Sequence, residues 1–444
     1  MCEIRVKIAF HLHWKVKLEP SKGGRMNSDI RVDVVIFGGG IAGLWCLNDI
    51  INAGYSAVLF EKHLLGGGQT CHSHVYIHQG HMYREVELAA AVRSTTAKWD
   101  EWLVASNIQP VQSGSHFGFV SLAQARLRTA IWSHDRLRLS WSRLDRSLFP
   151  DALKGGAVRV VLRSPEYCLD AESIIRVLAK RCEDRIAALD EVLGFDVDLG
   201  TSNVKTIQVR LRSGGSIRVI PRAILFAAGS GNQALLNVVS LGRPEYLRSV
   251  REQQQFRKSH MLVVRGPKKI LHPLTGVFPY IGGLFIVCRE SDEEVVWLVS
   301  DDRGPALGAV EEWLSYDARW WLPPVLAALQ RLAPTCFANP ENLLWAMYDA
   351  PKSEGRVAGF IPHEVRLSRF VFANVWALWP TKLTMAPEAS SHAAGEIANY
   401  LKKPMQAPSL GPWSSVRQFP GYAPERWKQL LLLSWNNFQK LYNL

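Results

Sequence analysis

Cys71, His72, His74, His78 and His81 crowd one short stretch of the chain, and Tyr83 follows directly. Thiolate and imidazole groups at such spacing can ligate zinc. Neither the His74/His78 pair nor the His72/His74 pair carries the glutamate of an H-E-x-x-H site, so no metal is expected. Proton chemistry fits His78 and Tyr83 better. An imidazole accepts a proton from a hydroxyl or amine near neutral pH while the adjacent carbon gives up a hydride. The plain alternative is a buried histidine ring satisfied by backbone.

Such residues need a frame, and the sequence supplies one upstream. Residues 34–37, Val-Val-Ile-Phe, form a short apolar run suited to a buried parallel strand. Next comes G-x-G-x-x-G, with Gly38, Gly40 and Gly43 enclosing Ile41 and Ala42. A helix is predicted over 44–53 with Gly54 as its stop, then a strand over 57–60 closing on Glu61 and Lys62. Gly38 permits the tight turn, Gly40 admits a pyrophosphate, and Gly43 lets helix and strand pack closely. The helix N-terminus offers unpaired N–H groups to the phosphates, and Glu61 stands where a ribose would be bound. This pattern points to a dinucleotide.

NAD(P) and FAD share that unit, so the choice rests on later segments. A second glycine cluster, Gly66-Gly67-Gly68-Gln69-Thr70, has no evident use in a simple nicotinamide enzyme. Residues 223–229 read as another buried strand ending in Ala228 and Gly229, small enough to let backbone approach a cofactor. Residues 379–387 place Lys382, Leu383 and Thr384 before a helix over 388–401. A helix N-terminus and an ammonium there would stabilise the charge that a reduced flavin gathers.

In order and motif these elements resemble the FAD-dependent D-amino-acid oxidase superfamily, most closely its glycerol-3-phosphate dehydrogenase and L-2-hydroxyglutarate dehydrogenase branches. The likeness rests on residues 68–83, with Gly-Gln-Thr at the start, Ile-His-x-Gly within and Tyr83 at the end. It also rests on Lys382-Leu383-Thr384 and the Met-Ala-Pro that follows, and Asp170 before a helical stretch suits it too. The resemblance implies FAD in an α/β fold: a discontinuous Rossmann-like domain with an inserted mixed-sheet α+β substrate domain. The expected cofactor domain spans 30–90, 155–235 and 360–405, and the substrate domain 91–154 and 236–359. Residues 1–29 would be an extension, with Met26 an alternative start, and 406–444 a basic aromatic tail. His72 matches in position the histidine that carries covalent flavin in the dimethylglycine dehydrogenase relatives, although Cys71 stands where that motif has Trp. Many superfamily members hold a substrate carboxylate with an Arg that has no counterpart in residues 345–352. Lys352 or Arg356 would have to substitute.

Composition sets outer limits. The 444 residues are 48% hydrophobic and 21% charged, which excludes disorder, and no apolar run is long enough to span a bilayer. Net charge is +12, favouring anionic ligands or surfaces. Seven cysteines without a C-x-x-C pair suggest reduced thiols and a cytoplasmic location. Basic stretches lie at 126–146 and 243–269, and Trp413, Trp427 and Trp435 punctuate the basic tail. The tail would pack on its own domain or touch the inner face of a membrane; specific nucleic-acid binding is not expected. The expected function is oxidation of a C–OH or C–N bond of a small polar substrate by hydride transfer to FAD, electrons leaving to a carrier or oxygen. The main alternative is a flavin-binding protein whose basic face docks on RNA or membrane. An NAD-linked dehydrogenase ranks third.

Overall fold

The computed structural model describes residues 27–241, 253–257, 259–301, 306–307, 318–350, 352–356, 364–380, 382–411 and 413–444, with Arg243 and Tyr246. Met1, Met26, Thr381, Pro351 and part of the basic stretch 243–269 lie outside the described residues.

The first sheet has seven strands and grows from β1 (Asn27–Phe37), α1 (Ile41–Asn52) and β2 (Ala57–Glu61). Strand β1 is buried on both faces, which its unbroken Val-Val-Ile-Phe run requires. Val34 and Ile36 enter one core, Val35 and Phe37 the other. It pairs in parallel with β2 (Val34 opposite Ala57) and with Ser216–Phe226 (Val34 opposite Ala223). Val375–Trp379 lies parallel on the far side of Ser216–Phe226, and Ile186–Asp198 parallel beside β2. The sheet thus needs segments that are far apart in sequence.

Several boundaries differ from the sequence reading: the strand expected over 223–229 spans Ser216–Phe226, and the helix expected over 388–401 starts at Ala386. Strand β1 already begins at Asn27, within the expected extension, where Asp29 takes a two-pronged hydrogen bond from Arg218 at 2.7 and 2.6 Å. Helix α1 starts at Ile41, inside the glycine motif, and not at residue 44. Gly43 is therefore helical, and a Cβ there would sit 1.9 Å from the Gly38 carbonyl oxygen. The glycine is what lets the helix start flush against the strand.

Helix α1 packs against Ala386–Leu401, whose Ala389 and Ala393 permit close approach, and against Ala171–Lys180. Asn48 of α1 bonds the Leu178 carbonyl at 2.9 Å, and Asp49 accepts from Ser390 at 2.6 Å. These polar ties fix helices contributed by early, middle and late parts of the chain.

The second sheet has ten strands. Its main path runs from Leu433–Ser434 through Leu344–Asp349, His260–Pro267, Glu294–Ser300, Leu284–Glu290, Gly276–Phe278, Gln112–Phe119 and Val160–Cys168 to Tyr76–Ile77. Ala318–Leu332 seals a core on it with Trp321, Val325 and Leu329. A third, small sheet joins Gln254–Arg257 to Lys352–Gly355 and Ala306–Leu307.

The tail is woven into this architecture. Trp413 stacks edge-on against Phe60 at 5.6 Å, Trp435 meets Trp345 at 4.7 Å, and Trp427 donates to buried Glu425 at 2.7 Å. Packing takes up these tryptophans, while Leu431 stays 82% exposed. No helix among the described residues is long and apolar enough to cross a membrane. The six described cysteines are free and buried, and burial pushes Cys46, Cys71 and Cys168 up to about 12.

Gly43→Ala is expected to destabilise the fold by roughly 3 kcal/mol, because overpacking here meets backbone and no side chain can yield. Thermal unfolding checks this; an unchanged midpoint would contradict the close approach.

Candidate functional site

The glycine loop between β1 and α1 forms a cradle. Gly38 has φ +110°, and a Cβ on it would lie 2.6 Å from the Ala227 carbonyl oxygen and from Ala228 Cα. Gly40 is the N-cap of α1 and supplies no side-chain cap. A Cβ on Gly40 would meet only Thr70 Oγ1, at 3.5 Å, so the space before the helix end is open. Thr70 Oγ1 accepts the Ile41 N–H at 3.1 Å, and Ala42 is buried in the first turn. Glu61 accepts the N–H groups of Gly39 at 2.5 Å and His63 at 2.7 Å. Burial pushes its carboxyl above the usual range, opposed by those two N–H groups. Lys62 follows with its carbonyl held by the Arg212 guanidinium.

From this cradle a chain of polar contacts leads outward. Gln69 accepts the Ser353 N–H at 3.0 Å. Gln254, fully buried, donates to the Gly229 carbonyl at 3.2 Å and to the Ser353 hydroxyl, while its Oε1 has no partner among the described residues. Ala228 N–H bonds Asn232 at 2.7 Å, which fixes the end of the neighbouring strand. The small sheet thus lies over the ends of the first sheet's strands. Sequence reading missed Gln254 and Ser353, since only non-local strand pairing brings them here.

Next along the path stand the residues with chemical potential. Lys382 Nζ lies 4.0 Å from Glu354 Oε1 and 6.0 Å from the centre of the Tyr83 ring. Tyr83 and His78 meet at 3.3 Å between hydroxyl and Nε2, with His78 only 7% exposed. Thr384 joins the late segment to the early one. Its hydroxyl donates to the Tyr76 carbonyl at 3.4 Å, and its own carbonyl accepts from Trp99 Nε1 at 2.7 Å and Thr95 at 3.2 Å. Leu383 packs beside the α1 core. Arg356 is exposed, and Lys352 half-buried on the small sheet.

The remaining histidines diverge. His72 Nδ1 donates to the Gly68 carbonyl at 2.7 Å, and His74 packs on Phe285 at 4.4 Å. His81 is fully buried against Glu166 at 3.0 Å. Among the described residues no group of three or more His, Cys, Asp or Glu is placed to hold a metal ion. Glu166 also accepts from Tyr76, from Gln79 N–H at 2.7 Å and from Ser164 at 3.2 Å. The hub is not visible in the sequence, because the pairing of Tyr76–Ile77 with Val160–Cys168 is what brings the turn holding Gln79 and His81 to Glu166.

The cradle, the open helix end and the Gln254 oxygen, unpartnered among the described residues, together fit a bound FAD.

Known proteins share this fold. A family model described as FAD dependent oxidoreductase matches residues 33–376. A probable FAD-dependent oxidoreductase of Pseudomonas aeruginosa is 24% identical over 394 residues, covering 84% of this chain and 92% of the relative. Its crystal structure superposes with a TM-score of 0.68 at 21% identity, over 91% of this chain and 99% of that one. The L-proline dehydrogenase of P. horikoshii gives 0.62 at 14% identity over 90% and 99% of the two chains. An FAD-bound L-alpha-glycerophosphate oxidase of Mycoplasma pneumoniae gives 0.61 at 16% identity over 86% and 97%. With its glycine cradle and two-sheet architecture, the chain belongs to the FAD dependent oxidoreductase family, the D-amino-acid oxidase superfamily that its motifs resemble.

Proposed function

We propose that this FAD-dependent oxidoreductase oxidises a C–OH or C–N bond of a small polar substrate, with His78 as proton acceptor. The observation that carries the reading is the meeting of His78 and Tyr83 at 3.3 Å, with the Lys382 ammonium near the Tyr83 ring. Bound FAD would supply the electron sink for the substrate's hydride, with the electrons leaving to a carrier or oxygen. Gly38, Gly40, Ile41, Ala42, Gly43, Glu61 and Lys62 hold the ADP half. Gln69, Thr70, Ala228 and Gly229 line the middle, and Lys382, Leu383 and Thr384 border the ring system.

His78 takes the substrate proton through a ring nitrogen, and the Tyr83 hydroxyl orients the imidazole. Lys382 places a positive charge where negative charge collects on reduction. Two structural neighbours point to the same substrate class by name, one acting on L-proline and the other on a glycerophosphate. The absent Arg in residues 345–352 leaves the substrate's anchor to other side chains. A cytoplasmic setting goes with this reading. Docking on RNA or membrane gains no support from the relatives.

An anaerobic screen of glycine, L-proline, D-alanine, L-2-hydroxyglutarate and sn-glycerol 3-phosphate is expected to yield one compound that bleaches the flavin; bleaching by none would count against the substrate class. With that compound, His78→Asn should slow single-turnover bleaching on the order of 10²-fold while flavin content holds. A change under about threefold would remove His78 from the chemistry. Gly40→Ala should fold with a normal melting midpoint yet purify largely without flavin, its methyl group occupying the phosphate path. Full flavin occupancy in that variant would place the phosphates elsewhere.

A further inference from the structure

Glu166 and His81 are both fully buried, and the mechanism above uses neither. A buried ion pair adds little net stability, since desolvation offsets most of the Coulomb attraction. What this pair does hold is one short segment. Tyr76 hydroxyl, Gln79 N–H at 2.7 Å and His81 Nδ1 at 3.0 Å all converge on the same carboxylate, and Ser164 adds a hydrogen bond at 3.2 Å. His81 Nε2 faces the Ser140 carbonyl at 2.9 Å, so both ring nitrogens meet oxygen acceptors and the ring is held from both sides. Burial alone would push the Glu166 carboxyl up, yet His81 beside it and the Tyr76 hydroxyl bring it below the usual range.

The same segment is gripped from its other side. Trp132 Nε1 donates to the His81 carbonyl at 2.9 Å, and Arg128 donates to the Tyr83 carbonyl at 2.9 Å. Gly80, at φ +105°, lets the chain turn under Ala89, whose carbonyl oxygen would lie 2.7 Å from any Cβ. Residues 76, 79, 81 and 83 are therefore fixed, and His78 lies between them.

We propose that Glu166 is a positioning residue: with His81 as its buried hydrogen-bond partner it fixes the turn that presents His78 and Tyr83 together to the cofactor. The inference rests on the reading of His78 and Tyr83 given above. Reacting groups displaced by about 1 Å can lose on the order of 10²-fold in rate, so a rigid anchor beneath a proton acceptor has a direct chemical use. Glutamine at 166 keeps the shape but turns one acceptor into a donor facing donors.

The test compares holoprotein of wild type, Glu166→Gln, Tyr76→Phe and Ser164→Ala by three measurements. Amide hydrogen exchange of the peptide spanning 76–83 should rise on the order of tenfold in Glu166→Gln, with β1 and α1 unchanged. The visible circular dichroism of the bound flavin should change with it. Single-turnover bleaching should fall on the order of 10²-fold with KM nearly constant. Tyr76→Phe and Ser164→Ala, which each remove one donor and leave the charge, should move the same way by less. They carry the test if Glu166→Gln does not accumulate as folded holoprotein. Unchanged exchange, or loosened exchange with unchanged dichroism and rate, would overturn the positioning role. His78→Asn and Tyr83→Phe run in parallel: if they too leave dichroism and rate untouched, the site reading has failed and takes this inference with it. If they do not, only the role of Glu166 has failed.

Discussion

The site depends on one junction, where Thr384 is clasped by Trp99 and Thr95 through its carbonyl and reaches Tyr76 through its hydroxyl. These are buried hydrogen bonds, and leaving any of the groups unmet would cost the full desolvation of that group. Their geometry is therefore obligatory, not decorative. They bring Lys382 beside Tyr83 and set the start of Ala386–Leu401 against the second sheet's edge strand.

Much of the cradle was legible because it is local. A strand, a glycine loop, a helix and an acidic strand end follow one another within a few dozen residues, and each glycine answers a contact measurable in the structure. Gly43 illustrates this. Its spacing in the motif predicts close packing, and the 1.9 Å approach of a would-be Cβ to Gly38 is that packing. The helix boundary was misread for the same reason, since glycine in a helix breaks the propensity pattern while tertiary packing demands it.

The reactive end was legible only in part. His78, Tyr83 and Lys382 stood out by type, but Glu166, Gln254 and Ser353 did not. Glu166 sits in a strand of alternating burial whose sequence gives no hint that its carboxylate faces a histidine from a distant turn. Gln254 lies in one of three glutamines whose burial follows from pairing with Lys352–Gly355. Information of that kind resides in register between distant strands and not in spacing along the chain. The tail shows the converse. Packing of its tryptophans on the protein or contact with a membrane were both open from composition; the partners they pack on, Phe60 and Trp345 among them, lie far upstream.

The first sheet's order also bears on how the molecule comes to be made. Strand Val375–Trp379 must slot beside Ser216–Phe226, and Ala386–Leu401 must cover α1, before the sheet's hydrophobic faces are closed. A nascent chain emerging at a ribosome therefore carries β1 and α1 with an open flank through most of its synthesis. Such long-range closure is slow and leaves strand edges exposed to other chains.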